Sequence, residues 1–178
     1  AKETFTASGS IYGPTSLSNL ALQTIQQTAK APIAILKPGD ILQNLNKGPL
    51  TVGDIQSAFA MDDTIYSVSL TGAKIKNLLE DTADYLVAGQ THYAINTSGL
   101  SYSMDLKQAK GSRIKDLKHA GKAVGANDKY TVGLLSSLLK STNRPKALAN
   151  TPIQLNTRKT LRDELVILFQ DKKEIAPA

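Results

Sequence analysis

At 178 residues, with 41% hydrophobic side chains and a formal net charge of +6, the chain has enough apolar material for one domain with a substantial core. It contains no cysteine, which excludes a disulfide framework and a thiolate metal site, and no apolar stretch approaches the roughly 20 residues of a membrane-spanning helix. Aromatics are scarce at 5% and tryptophan is absent, so the core must be built from Leu, Ile, Val and Ala.

Residues 1–13 are polar and small and read as a tail or linker. From Thr15 to Lys30, Leu17, Leu20, Ala21, Thr24 and Ile25 recur at helical spacing, with Thr15 or Ser16 as N-cap and Pro32 as the stop. Ile33 to Leu36 is a short continuous apolar run, read as a buried strand that ends at Lys37-Pro38-Gly39-Asp40. Thr51-Val52-Gly53-Asp54 has the capping-box pattern and opens a short helix through about Phe59. Tyr66, Val68 and Leu70 alternate with Ile65, Ser67 and Ser69, which predicts a strand over 64–70.

Thr71 then caps a helix carrying Ile75, Leu78, Leu79 and Leu86 that stops near Gly89. Leu100, Tyr102 and Met104 alternate on a further strand, and 112–117 with 122–124 flank an Ala120-Gly121 turn as a hairpin. Tyr130 to Leu135 is another strand, followed by the polar, proline-containing stretch KSTNRPKALANTP. Thr160-Leu161-Arg162-Asp163 opens a last helix with Leu165, Val166, Leu168 and Phe169 on its apolar side, and 172–178 form a frayed tail. The expected domain, 14–171, is α/β (or α+β), a mixed sheet flanked by interleaved helices.

The residues offer little chemistry of their own. His92 and His119 are isolated, with no second ligand at i+3 or i+4, so no metal site is expected in this chain. No G-x-S-x-G elbow, P-loop or G-x-G-x-x-G occurs, and Ser98-Gly99 belongs to a strand entry. Asp62 and Asp63 are adjacent, so their side chains point apart. All but four of the 21 basic residues are lysines, densest over 107–122, where Arg113 is the one arginine and no aromatic intervenes. Nucleic-acid surfaces combine such charge with arginines and aromatics, so this run reads as a solvated hairpin.

The order of motifs carries more information than any one of them. SLTGAKIKNLLE (69–80) and SGLSY (98–102), following GPLTVGDIQSAF and preceding KYTVGLLSSLL, make the chain from Thr15 to Asp171 resemble the C-terminal domain of the 5′-nucleotidase family. In that family an N-terminal metallophosphoesterase domain holds two divalent metals and the catalytic residues, while the C-terminal domain grips the nucleoside part of the substrate. The resemblance implies a non-catalytic recognition domain for a nucleotide or other phosphorylated small molecule, with no cofactor in this chain. Its expected setting is bacterial and extracellular or wall-associated, attached to the metal-bearing domain where the two share a chain.

The resemblance also marks the pocket. The family carries Asn, Gly, Gly and substrate-gripping Arg where this sequence has Lys37, Gly39, Asp40 and Leu42. The two aromatics that sandwich the base align with Met61 and Ser137, and the Gly-Gly-Asp-Gly loop aligns with Ser141-Thr142-Asn143-Arg144. Leu42 cannot hydrogen-bond and neither Met61 nor Ser137 can stack, so the expectation is a pocket that is lost or altered, with Lys37 and Arg144 available to an anion. The alternative is a surface module in which the Lys107–Lys122 hairpin binds a polyanion such as teichoic acid or nucleic acid. A third reading, a complete small phosphohydrolase, would require manganese-dependent phosphate release.

Overall fold

Thr15 starts the first helix by reciprocal capping. Its hydroxyl accepts from Ser18 N (3.2 Å) and Ser18 Oγ accepts from Thr15 N (2.6 Å), closing a capping box at the head of α1 (Ser16–Ala29). Lys30 ends the helix in the left-handed conformation, at φ 50°. The structure is a computed structural model and describes residues 1–7, 14–59, 61–140, 144–172 and 175–177.

Beyond Pro32 the chain enters β1 (Ile33–Leu36), buried at all four residues, and then makes a single 3-10 turn at Pro38–Asp40. The predicted capping box at Thr51 opens α2 (Val52–Ala58), and the alternating run becomes β2 (Thr64–Thr71). Thr71 Oγ1 accepts from Lys74 N at the start of α3 (Gly72–Val87). Two strands follow, β3 (Asn96–Ser98) and β4 (Leu100–Met104). The hairpin of β5 (Ile114–His119) and β6 (Lys122–Ala123) turns on Ala120 and Gly121, both left-handed at φ 48° and 77°. That is the two-residue turn whose twist matches paired strands.

The remaining elements are β7 (Lys129–Leu135), α4 (Ser136–Lys140), β8 (Ile153–Thr160) and α5 (Leu161–Asp171). The polar stretch after β7 therefore contains more order than expected. Its first residue closes α4, a 3-10 turn at Lys146–Leu148 buries Leu148, and β8 follows directly.

The main sheet is mixed and runs β3-β1-β7-β2-β8, with β1 and β7 parallel and the other pairs antiparallel. A smaller antiparallel sheet has the order β4-β5-β6. Helices cover both faces of the main sheet, so its central strands bury both sets of alternating side chains. Ala34, Leu36, Ile65 and Leu135 face Leu17, Ile25, Leu161 and Leu165 of α1 and α5. Ile33, Ile35, Tyr66, Val68, Val132 and Leu134 face Ile75, Leu78 and Leu79 of α3 on the other side. Each fully buried leucine in these two layers contributes roughly 1.5–3 kcal/mol. The smaller sheet leans on the α3 layer through Ile114, Tyr102 and Met104.

Of the segment 1–13 expected to be a tail, residues 8–13 lie outside the described residues, while residues 1–7 are tied to the α1 layer. Phe5 is buried, exchanges backbone hydrogen bonds with Leu45 at 2.8 and 3.0 Å, and meets the Phe169 ring edge-on at 6.1 Å. An aromatic ring in an otherwise polar run found a place in the α1 layer, and it fixes residues 1–7 there. Ile175, in the C-terminal stretch, packs on the same layer, and its carbonyl accepts from Lys2 N at 2.8 Å.

Candidate functional site

Strand direction decides which of the sequence-selected residues can meet. β1 and the parallel β7 finish at Leu36 and Leu135, while the antiparallel β2 begins at Thr64. Lys37, Gly39 and Asp40, then Ser137, and then Met61 to Asp63 consequently share one end of the sheet, just beyond the carboxyl ends of its parallel strands. Crevices in this position serve as ligand sites in many open α/β sheets.

Asp63, not its neighbour, organises this end. It is buried, and its Oδ1 accepts from Ser136 Oγ at 2.8 Å and from Ser137 N at 2.9 Å. Its carbonyl accepts from Leu161 N at 3.1 Å, tying the start of α5 to the same corner. Asp62 is exposed, so the adjacent carboxylates point apart and form no acid/base pair. Ser137 Oγ is buried without a hydrogen-bond partner among the described residues.

The loop after β1 is held from two sides. Lys37 Nζ lies 3.4 Å from Asp40 Oδ1, so its charge is already matched within the loop. Gly39 packs against the 3-10 turn Thr91–Tyr93, and a β-carbon there would lie 2.8 Å from the His92 carbonyl oxygen. Glycine is required by that approach, because the obstacle is backbone. Leu42 and Met61 sit at the margins of this end, exposed at 62% and 61%.

Burial holds the Asp40 carboxyl above the ordinary range; Lys37 pulls it back down and the nearby Asp63 charge pushes it further up. The folded chain therefore keeps this proton more tightly than the unfolded chain. The stabilisation from Asp40 is complete below the unfolded value of 3.8 and is lost as pH rises through the higher folded value. Asp40→Asn is expected to remove that dependence, raising neutral-pH stability relative to acid stability when urea unfolding is followed from about pH 4 to 7. An unchanged slope would show that the Lys37 partner outweighs burial.

Arg144 is held next to the end of α4. Its Nη1 donates to Leu139 O at 3.2 Å, and its side chain lines a cleft on the flank of α3 with Tyr85 and Tyr93. Asn143 lies outside the described residues. The lysine-rich segment is also partly neutralised: Lys110 and Arg113 both pair with Asp84, leaving Lys107, Lys115, Lys118 and Lys122 exposed. Among the described residues, no three His, Asp or Glu side chains converge as metal ligands.

Sequence reasoning missed His92 as the floor under Gly39 and Asp63 as the anchor of Ser137. The second carried a signal, since Asp63 directly precedes a strand that is buried on both faces.

Comparison with known proteins places the fold. The sequence matches the family described as 5′-nucleotidase, C-terminal domain, over residues 1–146. It is 28% identical over 116 residues to the trifunctional nucleotide phosphoesterase protein YfkN of Bacillus subtilis, a match spanning 62% of this chain and 8% of that protein. The fold superposes on the 5′-nucleotidase precursor of Thermus thermophilus with a TM-score of 0.85 at 20% identity, covering 99% of this chain and 37% of the other. The NAD nucleotidase of Haemophilus influenzae gives 0.75 at 18% identity, over 88% and 30% of the two chains. This chain thus spans a small part of the length of each protein it matches.

Proposed function

Because this chain belongs to the 5′-nucleotidase C-terminal domain family, we propose that it is a substrate-recognition domain whose nucleoside pocket has been altered. In this reading it presents a nucleotide or other phosphorylated small molecule to a metal-dependent phosphoesterase domain, which performs the hydrolysis. The contribution of this chain is binding and orientation.

The observation that carries the reading is the composition of the shared sheet end. The loops that the resemblance marks as a pocket meet at this end, yet they present Leu42 and Met61 to solvent, and their lysine is matched by Asp40. No arginine or stacking aromatic stands at these positions to hold a base. Two lost stacking contacts are worth about 2–6 kcal/mol, or roughly 30-fold or more in affinity.

Restoring the missing groups tests this directly. Leu42→Arg combined with Met61→Phe changes two exposed side chains, so the fold should tolerate both. Calorimetric titration with adenosine is expected to show millimolar or weaker binding to the parent and at least about tenfold tighter binding to the variant. Tight adenosine binding to the parent, with amide shifts at Gly39 and Ser137, would mean the pocket is intact. No gain in the variant would mean that this end of the sheet is not a nucleoside site.

A further inference from the structure

A lysine at this end of a sheet would ordinarily invite an anion, and here the chain supplies the anion itself. Lys37 Nζ and Asp40 Oδ1 are 3.4 Å apart, and the two side chains are only 21% and 17% exposed, so water screens the pair poorly. The loop that carries them has little freedom. Asp40 N donates to Lys37 O and Ile41 N to Pro38 O, both at 3.0 Å, while Gly39 is pressed against the His92 carbonyl. Just beyond, Ile41 bridges to Phe59, and Leu42 N donates to Ala58 O at 2.8 Å. The backbone therefore sets the pair before any ligand arrives.

The other titratable and charged groups around the loop have different tasks. Asp63, whose charge also acts on Asp40, accepts from Ser136 Oγ and Ser137 N and holds two strand ends together. Asp62 is exposed, and the Asp54 carboxylate accepts from Thr51 N and Thr51 Oγ1 at the head of α2. Arg162 of α5 donates to Phe59 O at 2.5 Å. His92 presents its backbone to Gly39 and its ring to Tyr93, at 4.0 Å between centroids. Ser137 Oγ, buried and without a hydrogen-bond partner among the described residues, remains a free donor at the same end of the sheet.

We propose that Asp40 acts as an internal stand-in for an anionic ligand on Lys37, and that neutralising Asp40 opens this sheet end to a small oxyanion held by the lysine and the Ser137 hydroxyl. The inference rests on the reading of the sheet end as a binding site, and it concerns what controls that site rather than which nucleoside enters it. Burial, opposed by Lys37 and reinforced by Asp63, holds the Asp40 proton above the ordinary carboxylate range, so the lysine is released as pH falls. Linkage requires the reverse as well: a bound anion must make Asp40 take up its proton at higher pH.

Sulfate keeps its charge over the range of about pH 4 to 7 in which a raised carboxyl titrates, so nuclear magnetic resonance titration of the whole chain with sodium sulfate tests this. The expected result is saturable shifts at Gly39 and Ser137 that tighten at least about tenfold as pH falls through this range, with the Asp40 titration displaced upward by sulfate. Asp40→Asn is expected to bind at neutral pH as tightly as the parent does in acid, without pH dependence, and Lys37→Gln in that background to lose the binding. A pH dependence that persists in Asp40→Asn would assign the effect to His92 or Asp63 and overturn the proposal. So would silence of Asp40→Asn at millimolar sulfate, or shifts spread over the exposed lysines of 107–122, which would show general charge attraction only. Failure of adenosine to bind Leu42→Arg with Met61→Phe, while sulfate still follows Asp40, would remove the nucleoside reading and support this one.

Discussion

Replacing Glu80 with alanine is expected to cost the fold about 3–5 kcal/mol, one of the two largest losses from a polar or backbone change in this protein. Glu80 projects from α3 and is buried at 3% exposure. Its two oxygens accept from the backbone of a distant loop: Gly111 N at 2.9 Å, Arg113 N at 3.0 Å and Ile114 N at 3.0 Å. Truncation strands the buried Ile114 amide and leaves those of Gly111 and Arg113, at the edge of the loop, without their acceptor, and the neighbouring Lys110 and Arg113 pairs with Asp84 cannot replace backbone acceptors. Glu80→Gln should fall between, since its amide group turns one acceptor into a donor facing donors. Urea unfolding gives the magnitude, and hydrogen exchange should show residues 105–114 opening first. A loss under about 1 kcal/mol would mean that the loop holds its shape by other means.

Gly99→Ala should be of similar severity, roughly 2–5 kcal/mol. Gly99 links β3 in the main sheet to β4 in the small one, at φ 82°, where an L side chain is strained. A β-carbon there would lie 2.1 Å from Pro32 O, which already accepts from Gln26 Nε2 at 2.7 Å. The carbonyl of Gly99 in turn meets His119 Nδ1 at 2.7 Å. Relief of the clash must therefore move α1, the entry to β1 or the hairpin, and each movement exposes buried surface. Thermal and urea unfolding should agree on the loss. A near-neutral result would show that the junction between the sheets is pliable.

What was legible in the sequence followed from periodicity and capping. α1, α3 and α5 carried threonine caps and an apolar face, and β1, β2 and β7 carried apolar runs, so local pattern and burial agreed. β8 was not legible because nothing in it repeats: its residues are mostly exposed, irregular pairing breaks its alternation in two places, and Arg158 adopts φ 58°. α4 is five residues continuing directly from β7, too short to show a helical period. At the site, the loop residues were legible through resemblance alone. The links between Asp63 and Ser136–Ser137 join residues more than 70 positions apart, and they exist only because β2 and β7 pair. The pairing of Lys37 with Asp40 and the bond from Arg144 to Leu139 O likewise depend on how two loops leave the sheet, which no local pattern encodes.

The irregular outer strand has a consequence for behaviour at high concentration. β8 ends the main sheet, and an outer strand offers unpaired amides and carbonyls to any other chain that can lie alongside. Its exposed Ile153 and Leu155 would make that stacking adhesive. The shifts in register at both ends leave Leu155 and Asn156 as the stretch in consecutive pairing with β2, while Arg158 and Lys159 bring positive charge to the bent half. A rung that short and that twisted is a poor template for a second sheet, and a second copy approaching it would meet the charge of Arg158, that of Lys159 being matched by Glu164 at 3.0 Å. The features that hid β8 from pattern reading are therefore the ones that keep one molecule from growing onto the next.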